Sequence, residues 1–448
     1  GTGQAGPPLA RRLVAAGMTV AIVERGKFGG TCVNTGCIPT KAMVASAYAA
    51  RLAGRAAEFG VTLPSQPGID MKRVSARKEE IVAPTRDGLE SNLKNLANCM
   101  VYQGHARFET AHEVSVGDAK LAADKIFLNV GGRAVIPSIP GLDQVPYLTN
   151  SSMMQVDYLP EHLIILGGSY IGLEFGQMFR RFGSRVTIIE GGPRLVSRED
   201  EDVSEAITDI LQREGIQVRS GSKCTGIAKQ DNEIVAHLDT GGVPSEVRGS
   251  HLLIAVGRRP NTDDLGLANA GVAVDSHGYV EIDDQLRTNV PGIWALGDCN
   301  GKGGFTHTSF NDFEIAAANL LDNDPRKVSD RIPTYALFID PPLGRAGMTE
   351  TQARKTGRKL LMGKRLMTKV GRAVEKSETL GFMKVLIDAD SRRILGAAIL
   401  GTGGDEAIHS ILDVMYADRP YTVLQRAMHI HPTVSELIPT MLGELQPL

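Results

Sequence analysis

Cys32 and Cys37 stand in the run Gly29-Gly30-Thr31-Cys32-Val33-Asn34-Thr35-Gly36-Cys37-Ile38-Pro39-Thr40-Lys41, with four residues between the two sulfurs. Three chemistries use such a pair. Two thiolates can ligate a metal, but neither a nearby histidine nor a second cysteine pair completes a four-ligand set, so no metal site is expected. Two thiols can also be inert core groups, because free cysteine is often buried. A reversible disulfide is the third use, and it needs sulfurs close enough to bond and one thiolate stable enough to leave and to accept electrons. Placement just after an apolar strand ending at Glu24 favours that third use. Helical positions five apart are not eclipsed, so distortion is expected around Gly36 and Pro39. Lys41 follows Cys37 by four residues and puts positive charge where a thiolate needs it, although solvated lysine is the commoner fate.

Two glycine turns flank the pair and suggest what it works with. Gly1-Thr2-Gly3-Gln4-Ala5-Gly6 fits the G-x-G-x-x-G spacing, in which glycines allow a tight turn and a close approach to a pyrophosphate at a helix N-terminus. Residues 9–16 read as the helix and 18–23 as the next strand, ending at Glu24, near the offset of a ribose-binding carboxylate. The fingerprint needs a strand in front of it and none precedes Gly1, so a short preceding stretch is expected. The unit recurs. An apolar strand at 163–166 leads into Gly167-Gly168-Ser169-Tyr170-Ile171-Gly172, then an apolar-periodic helix to Phe182 and a strand at 185–189 that ends at Glu190. Ser169 replaces the middle glycine. Two such units predict two dinucleotides, one per domain. A structural duplication with one dead site is the alternative. Glu190 would accept from the free ribose hydroxyls of NADH and repel the 2′-phosphate of NADPH, while Arg194 and Arg198 pull the other way.

Composition narrows the class. Glycine supplies 50 of 448 residues, while hydrophobic residues still make up 42%, which points to many tight turns rather than disorder. Lys plus Arg number 49 against 51 Asp plus Glu, so no electrostatic footprint for nucleic acid or an anionic membrane is present. No run reaches the ~18 apolar residues of a membrane span. Five cysteines are too sparse for a secreted disulfide scaffold, so a cytoplasmic enzyme is expected.

The segment Gly29 to Lys41 resembles the redox-disulfide segment of the class I pyridine nucleotide-disulfide oxidoreductases, which include mercuric reductase, glutathione reductase and dihydrolipoamide dehydrogenase. The resemblance extends through both glycine fingerprints, through Ile293-Trp294-Ala295-Leu296-Gly297-Asp298 and through His431-Pro432-Thr433-Val434-Ser435-Glu436, and so spans nearly the whole chain. It implies an α/β architecture of two doubly wound dinucleotide-binding domains and a C-terminal α+β dimerisation domain. The expected division is 1–150 for FAD, 151–270 for NAD(P)H, 271–330 as a return segment and 331–448 for dimerisation. Gly1, Gly3, Gly6, Glu24, Gly30, Thr31, Lys41 and Asp298 are then expected at FAD. Gly167, Ser169, Gly172, Glu190 and Gly257 are expected at the nicotinamide cofactor, with NADH favoured. The resemblance also implies that Cys37 is the thiolate against the flavin, that Cys32 exchanges with the acceptor, and that Lys41 pairs with Glu174. His431, held by Glu436, would handle protons for the partner subunit of a homodimer. Hydride would pass from NADH to the flavin and on to the disulfide.

Subfamily is read from smaller signals. Residues 336–350 and 371–384 look closest to mercuric reductase and its oxidant- and metal-responsive relatives, with a solvated hairpin as the plain alternative for them. The tail after Glu436 contains no cysteine, so the vicinal pair that mercuric reductase carries there is missing. The acceptor is therefore expected to be a metal ion, an oxidant or a small disulfide. Dihydrolipoamide dehydrogenase is the alternative enzyme, and a flavin-binding sensor with a static disulfide is the non-enzymatic one. Short strands are expected at 332–339, 364–370, 382–387 and 394–400, with Ile411, Leu412 and Met415 at the dimer interface. Arg258 and Arg259 are read either as cofactor-domain residues or as solvated turn caps, and His307 as a structural histidine.

Overall fold

Short aliphatic runs followed by amphipathic helices build parallel sheets, because only a crossover helix returns the chain to the same sheet edge. The computed structural model describes residues 1–65 and 67–448. Helix α1 (Gly6–Ala15) leads to strand Val20–Glu24, which pairs parallel with Cys99–Gln103. Between those strands lie α2 (Gly30–Asn34), α3 (Cys37–Gly54) and α4 (Met71–Lys94). Asp70 caps α4 by accepting the Arg73 N–H at 3.0 Å. The chain returns to this region late, when Ile293–Ala295 pairs parallel with Ile126–Leu128. Helix Thr306–Ala317 then packs Phe313 and Ile315 into one cluster with Leu9 and Leu13 of α1.

The second sheet has four parallel strands in the order Gln217–Arg219, Arg185–Ile189, His162–Leu166, His251–Ile254. Its first strand in sequence is central and buried on both faces, because helices α5 (Tyr170–Phe182) and α6 (Glu201–Arg213) pack on one face with Leu163 and Ile165, and antiparallel strands pack on the other with Ile164 and Leu166. An antiparallel meander, Lys223–Gln230, Glu233–Thr240 and Val243–Gly249, joins it before the last strand. The C-terminal part is a six-stranded sheet whose central strands, Phe382–Asp388 and Ile394–Leu400, are buried along their whole length. The folds implied by the two glycine units and by the C-terminal strand run are therefore both present.

Several local readings change. The strand expected over 332–339 is only Thr334–Leu337, because the next N–H groups bond to α5: Phe338 to Glu174 and Asp340 to Gln177. The strand expected at 364–370 is Leu360–Leu366, followed by a 3-10 turn that buries Met367 and Val370. Residues 371–384 form no solvated hairpin. Lys384 is 1% exposed, with Nζ 3.1 Å from Asp200, 2.8 Å from Asp202 and 3.3 Å from Glu350. Arg345 lies beside it, near Glu199 and Asp200, so the cluster ties the start of α6 to the C-terminal sheet. Ile411 and Leu412 do not face outward either. They lie on the buried face of helix Gly404–Tyr416 and pack against this subunit's own sheet, while Tyr416, Val423, Met428 and Ile430 are large apolar side chains left exposed between that helix and the His431 segment.

Removing one member of a buried ionic cluster leaves uncompensated charge. Lys384→Met is therefore expected to destabilise the protein by about 3–5 kcal/mol, measured by chemical denaturation.

Candidate active site

Glycine geometry sets the floor of one large cavity, about 1970 Å³, roughly twice the upper end of ordinary small-ligand pockets of ~1,000 Å³. A Cβ on Gly6 would lie 2.1 Å from the Gly1 carbonyl oxygen, and one on Gly1 would lie 2.4 Å from that of Asn129. No larger residue fits either place. Gly3 and Gly30 complete this bare-backbone wall, and Thr31 lies beside them. Pro7 and Pro8 occupy the first turn of α1, where an N–H would have no intrahelical acceptor. Glu24 borders the same cavity. One of its carboxylate oxygens accepts the Thr2 N–H at 2.9 Å and the Thr2 hydroxyl at 2.7 Å, and the other accepts the Gly26 N–H at 2.8 Å. Burial pushes this carboxyl up, but those hydrogen bonds outweigh it and hold the group below its ordinary range. Size, backbone cradle and fixed carboxylate suit FAD.

The two cysteines occupy different helices. Cys32 lies in α2, Cys37 opens α3, and the chain breaks at Thr35–Gly36, where the expected distortion falls. A Cβ on Gly36 would meet the Thr31 carbonyl oxygen at 2.9 Å, so the break needs glycine. Pro39 sits in the first turn of α3 without breaking it. The dithiol is asymmetric. Cys37 is held as the thiolate, lowered to about 6, first by a hydrogen bond from Cys32, against the opposing effect of burial, and then by the Thr306 hydroxyl and the Lys41 charge. Cys32 is pushed far up because it donates to Cys37, is half-buried and adjoins that negative charge. The Thr306 oxygen lies 2.9 Å from the Cys37 sulfur. Thr308, not Thr306, caps that helix by bonding the Phe305 backbone, which leaves the Thr306 hydroxyl for sulfur.

Lys41 and Glu174, 133 positions apart, meet at 2.7 Å, with Glu174 only 5% exposed. The other Glu174 oxygen accepts the Phe338 N–H at 3.0 Å, and the Lys41 ammonium stands 4.5 Å from the Phe338 ring centroid. Asp298 lines the cavity 3.5 Å from Arg258, and burial raises its carboxyl above the ordinary range. Arg258 also donates to the Gly132 carbonyl at 2.6 Å, so it is an internal residue rather than a solvated cap, whereas Arg259 pairs with Asp263 on the surface. Asp312 pins the Asp298 loop by accepting from Gly297 and Asn300. The His307 ring nitrogen bonds the Thr334 carbonyl at 2.8 Å, as a structural histidine does.

The second turn has the same steric logic. Gly167 has φ +113°, and a Cβ there would meet the Ala255 carbonyl oxygen at 2.3 Å; one on Gly172 would meet that of Gly167 at 2.1 Å. Gly257 has φ +132° with open space around it. Ser169 precedes α5 with an exposed side chain that makes no capping bond, leaving its hydroxyl available to a phosphate. Glu190 accepts the Gly168 N–H at 2.7 Å and the Gly192 N–H at 2.6 Å, so its carboxylate is fixed at the strand end. Arg194 is turned inward to the Glu199 carbonyl, and Arg198 is exposed.

His431 and Glu436 form a pair, Nδ1 to Oε2 at 2.8 Å, with Glu436 mostly buried and His431 81% exposed. Giving Nδ1 to the carboxylate leaves Nε2 for proton exchange. Neither residue is among those lining the cavity, so within one chain the structure does not bring this pair to Cys32. His429, two residues earlier, bonds the Ala427 carbonyl at 3.1 Å. Sequence reasoning missed Thr2, Asn129, Thr306, Asp312 and Phe338.

The model of a family described as pyridine nucleotide-disulphide oxidoreductase matches residues 1–312, and that of its dimerisation domain matches residues 333–442. The chain is 36% identical over 445 residues to the probable pyridine nucleotide-disulfide oxidoreductase RclA of Escherichia coli (strain K12), covering 97% of this chain and 96% of the relative. It is 34% identical over 427 residues to mercuric reductase of Streptomyces lividans, covering 94% and 90%. The solved Cu(II) complex of the HOCl-induced flavoprotein disulfide reductase RclA from Escherichia coli superposes with TM-score 0.90 at 34% identity, over 99% of this chain and 98% of that one.

A hydrogen bond to a charged acceptor contributes about 1.5–3 kcal/mol, which is roughly one to two pH units. Thr306→Val is therefore expected to raise the Cys37 midpoint by about one unit. The thiolate absorbance of the reduced protein, expected to fall as the pH drops through the Cys37 midpoint, would then fade at higher pH than in the unaltered chain, and Thr306→Ser would restore it.

Proposed function

The chain belongs to the pyridine nucleotide-disulphide oxidoreductase family and is an FAD- and NAD(P)H-dependent disulfide oxidoreductase with a redox-active Cys32–Cys37 pair; we propose that it prefers NADH and reduces an acceptor at Cys32. The observation that carries this reading is the setting of Cys37, which opens helix α3 on the wall of the cavity that both cysteines line, with the Thr306 hydroxyl 2.9 Å from its sulfur and Lys41 one turn on. FAD would be held by Gly1, Gly3, Gly6, Glu24, Gly30, Thr31 and Asp298, and NADH by Gly167, Ser169, Gly172, Glu190 and Gly257. When bound, these groups supply hydride and two-electron transfer.

The rest is the work of side chains. Two electrons and one proton convert the disulfide into the Cys37 thiolate and the Cys32 thiol. Lys41, fixed by Glu174, balances the sulfur's charge. With a disulfide acceptor, Cys32 loses its proton, bonds to one acceptor sulfur and expels the other as a thiolate. Cys37 then attacks Cys32, re-forms the internal disulfide and releases the second thiolate. The partner subunit's tail would deliver the histidine base, held by its glutamate, and the exposed Met428 and Ile430 beside His431 support burial against a second copy. With a metal ion or oxidant, the same dithiol would bind or reduce it. The mercuric reductase and Cu(II)-complex relatives favour that class of acceptor, whereas the cysteine-free tail counts against a typical mercuric reductase. We divide the chain into 1–150, 151–270, 271–330 and 331–448, and place it in the cytoplasm.

Steady-state assays with mercuric ion, cupric ion, hypochlorite and lipoamide separate the acceptors, and turnover dominated by lipoamide would overturn this assignment. NADH is expected to give the higher kcat/KM, with Glu190→Ala narrowing the gap to NADPH; an unaltered protein that prefers NADPH would refute the coenzyme assignment. Mixing Cys32→Ser chains with His431→Ala chains is expected to restore activity after subunit exchange, because one hybrid site then holds both intact residues.

A further inference from the structure

The extended segment after strand Thr334–Leu337 alternates sides: Leu337 and Ile339 are buried in the core, while Phe338 and Asp340 meet α5. Three side chains on one face of α5 receive it. Glu174 accepts the Phe338 N–H, Gln177 accepts the Asp340 N–H at 2.7 Å and donates back to the Asp340 carbonyl at 2.8 Å, and Arg181 pairs with the Asp340 carboxylate at 2.7 Å. These positions are three and four residues apart, the spacing that shares one helix face. The segment is thus held in register, and the register puts the Phe338 ring on the cavity wall under the Lys41 ammonium.

We propose that Phe338 is a positioning residue for Lys41: its ring and its backbone N–H together fix the Lys41–Glu174 pair, so that the C-terminal region sets the charge beside the redox sulfurs. This rests on the assignment of Lys41 to the redox site. Lys41 is one-third exposed, and Glu174 holds it by a single contact. The ring supplies a second, because an aromatic face attracts a cation within about 6 Å of its centroid. The Phe338 N–H fills the other Glu174 oxygen, so the carboxylate keeps one orientation. Every side-chain variant retains that N–H, and such variants therefore isolate the ring.

The test uses the FAD-loaded full chain. Competitive amine labelling, with the other lysines as references, reads the freedom of Lys41 directly, and stopped-flow reduction by NADH reads its effect. Phe338→Leu is expected to raise Lys41 labelling and to slow flavin reduction, each by roughly threefold, with KM for NADH unchanged. Phe338→Tyr is expected to keep both at the unaltered values, and Phe338→Met serves if the leucine variant folds poorly. In a Lys41→Met background, Phe338→Leu is expected to have no further effect on reduction. Unchanged Lys41 labelling, or an equal slowing in the Lys41→Met background, would overturn the proposal. If Lys41→Met alone left reduction unaffected, the assignment of Lys41 would be the part that fails.

Discussion

A negative charge on sulfur, withdrawn from water, is what the architecture must support. Such a charge is costly unless hydrogen bonds and a counter-ion compensate it. Here the compensation comes from Cys32 in α2, from the opening of α3 at Cys37 itself, from Lys41 one turn along α3, and from Thr306 far away in sequence. Local sequence can bring the first three together. The fourth requires the chain to leave, build an entire second sheet and return through the pairing of Ile293–Ala295 with Ile126–Leu128. Seen this way, the return segment is a condition of the chemistry as much as of the fold.

What could be read from the sequence follows the same division. Glycine turns, the cysteine pair and Glu190 were legible because a tight turn or a strand end acts over a few residues, and steric demand for glycine leaves a direct mark. The family motif extended that reading to Lys41 with Glu174 and to His431 with Glu436, and the chain brings each pair together. Thr306 and Phe338 were not legible, since a threonine among threonines or a phenylalanine in an apolar run gains its role only from what it faces. The ends of strand Thr334–Leu337 were missed for a related reason: the next amides find acceptors on α5 instead of on a neighbouring strand. Helix Gly404–Tyr416 shows the limit of amphipathicity. Its apolar stripe predicted burial correctly, but a stripe does not say which surface covers it, and Ile411 and Leu412 turn to their own sheet.

The cavity wall and the C-terminal His431–Glu436 pair are built differently. The inward side rests on buried, mutually fixed groups: Glu174, Asp298 with its Asp312-pinned loop, and the bare backbone of both glycine turns. His431, which we propose serves the acceptor side of a partner subunit's dithiol, is by contrast almost free of its surroundings except for one carboxylate. Rigidity is thus concentrated where cofactors of fixed shape must be aligned, and the more open chemistry is left where acceptors differ in size and charge.

The cluster around Lys384 has a mechanical consequence. Its cation is shared by Asp200 and Asp202, at the start of α6, and by Glu350 beside the C-terminal sheet. A small gap between these regions would strand several charges without either water or each other, and such a half-open state is the least favourable point on the path. The cluster therefore couples the opening of the four-stranded parallel sheet, through the start of α6, to that of the C-terminal sheet, and the two are expected to open together. Amide hydrogens on strand His162–Leu166 and on strand Phe382–Asp388 would then exchange through a single opening event, although more than two hundred residues separate them in the chain.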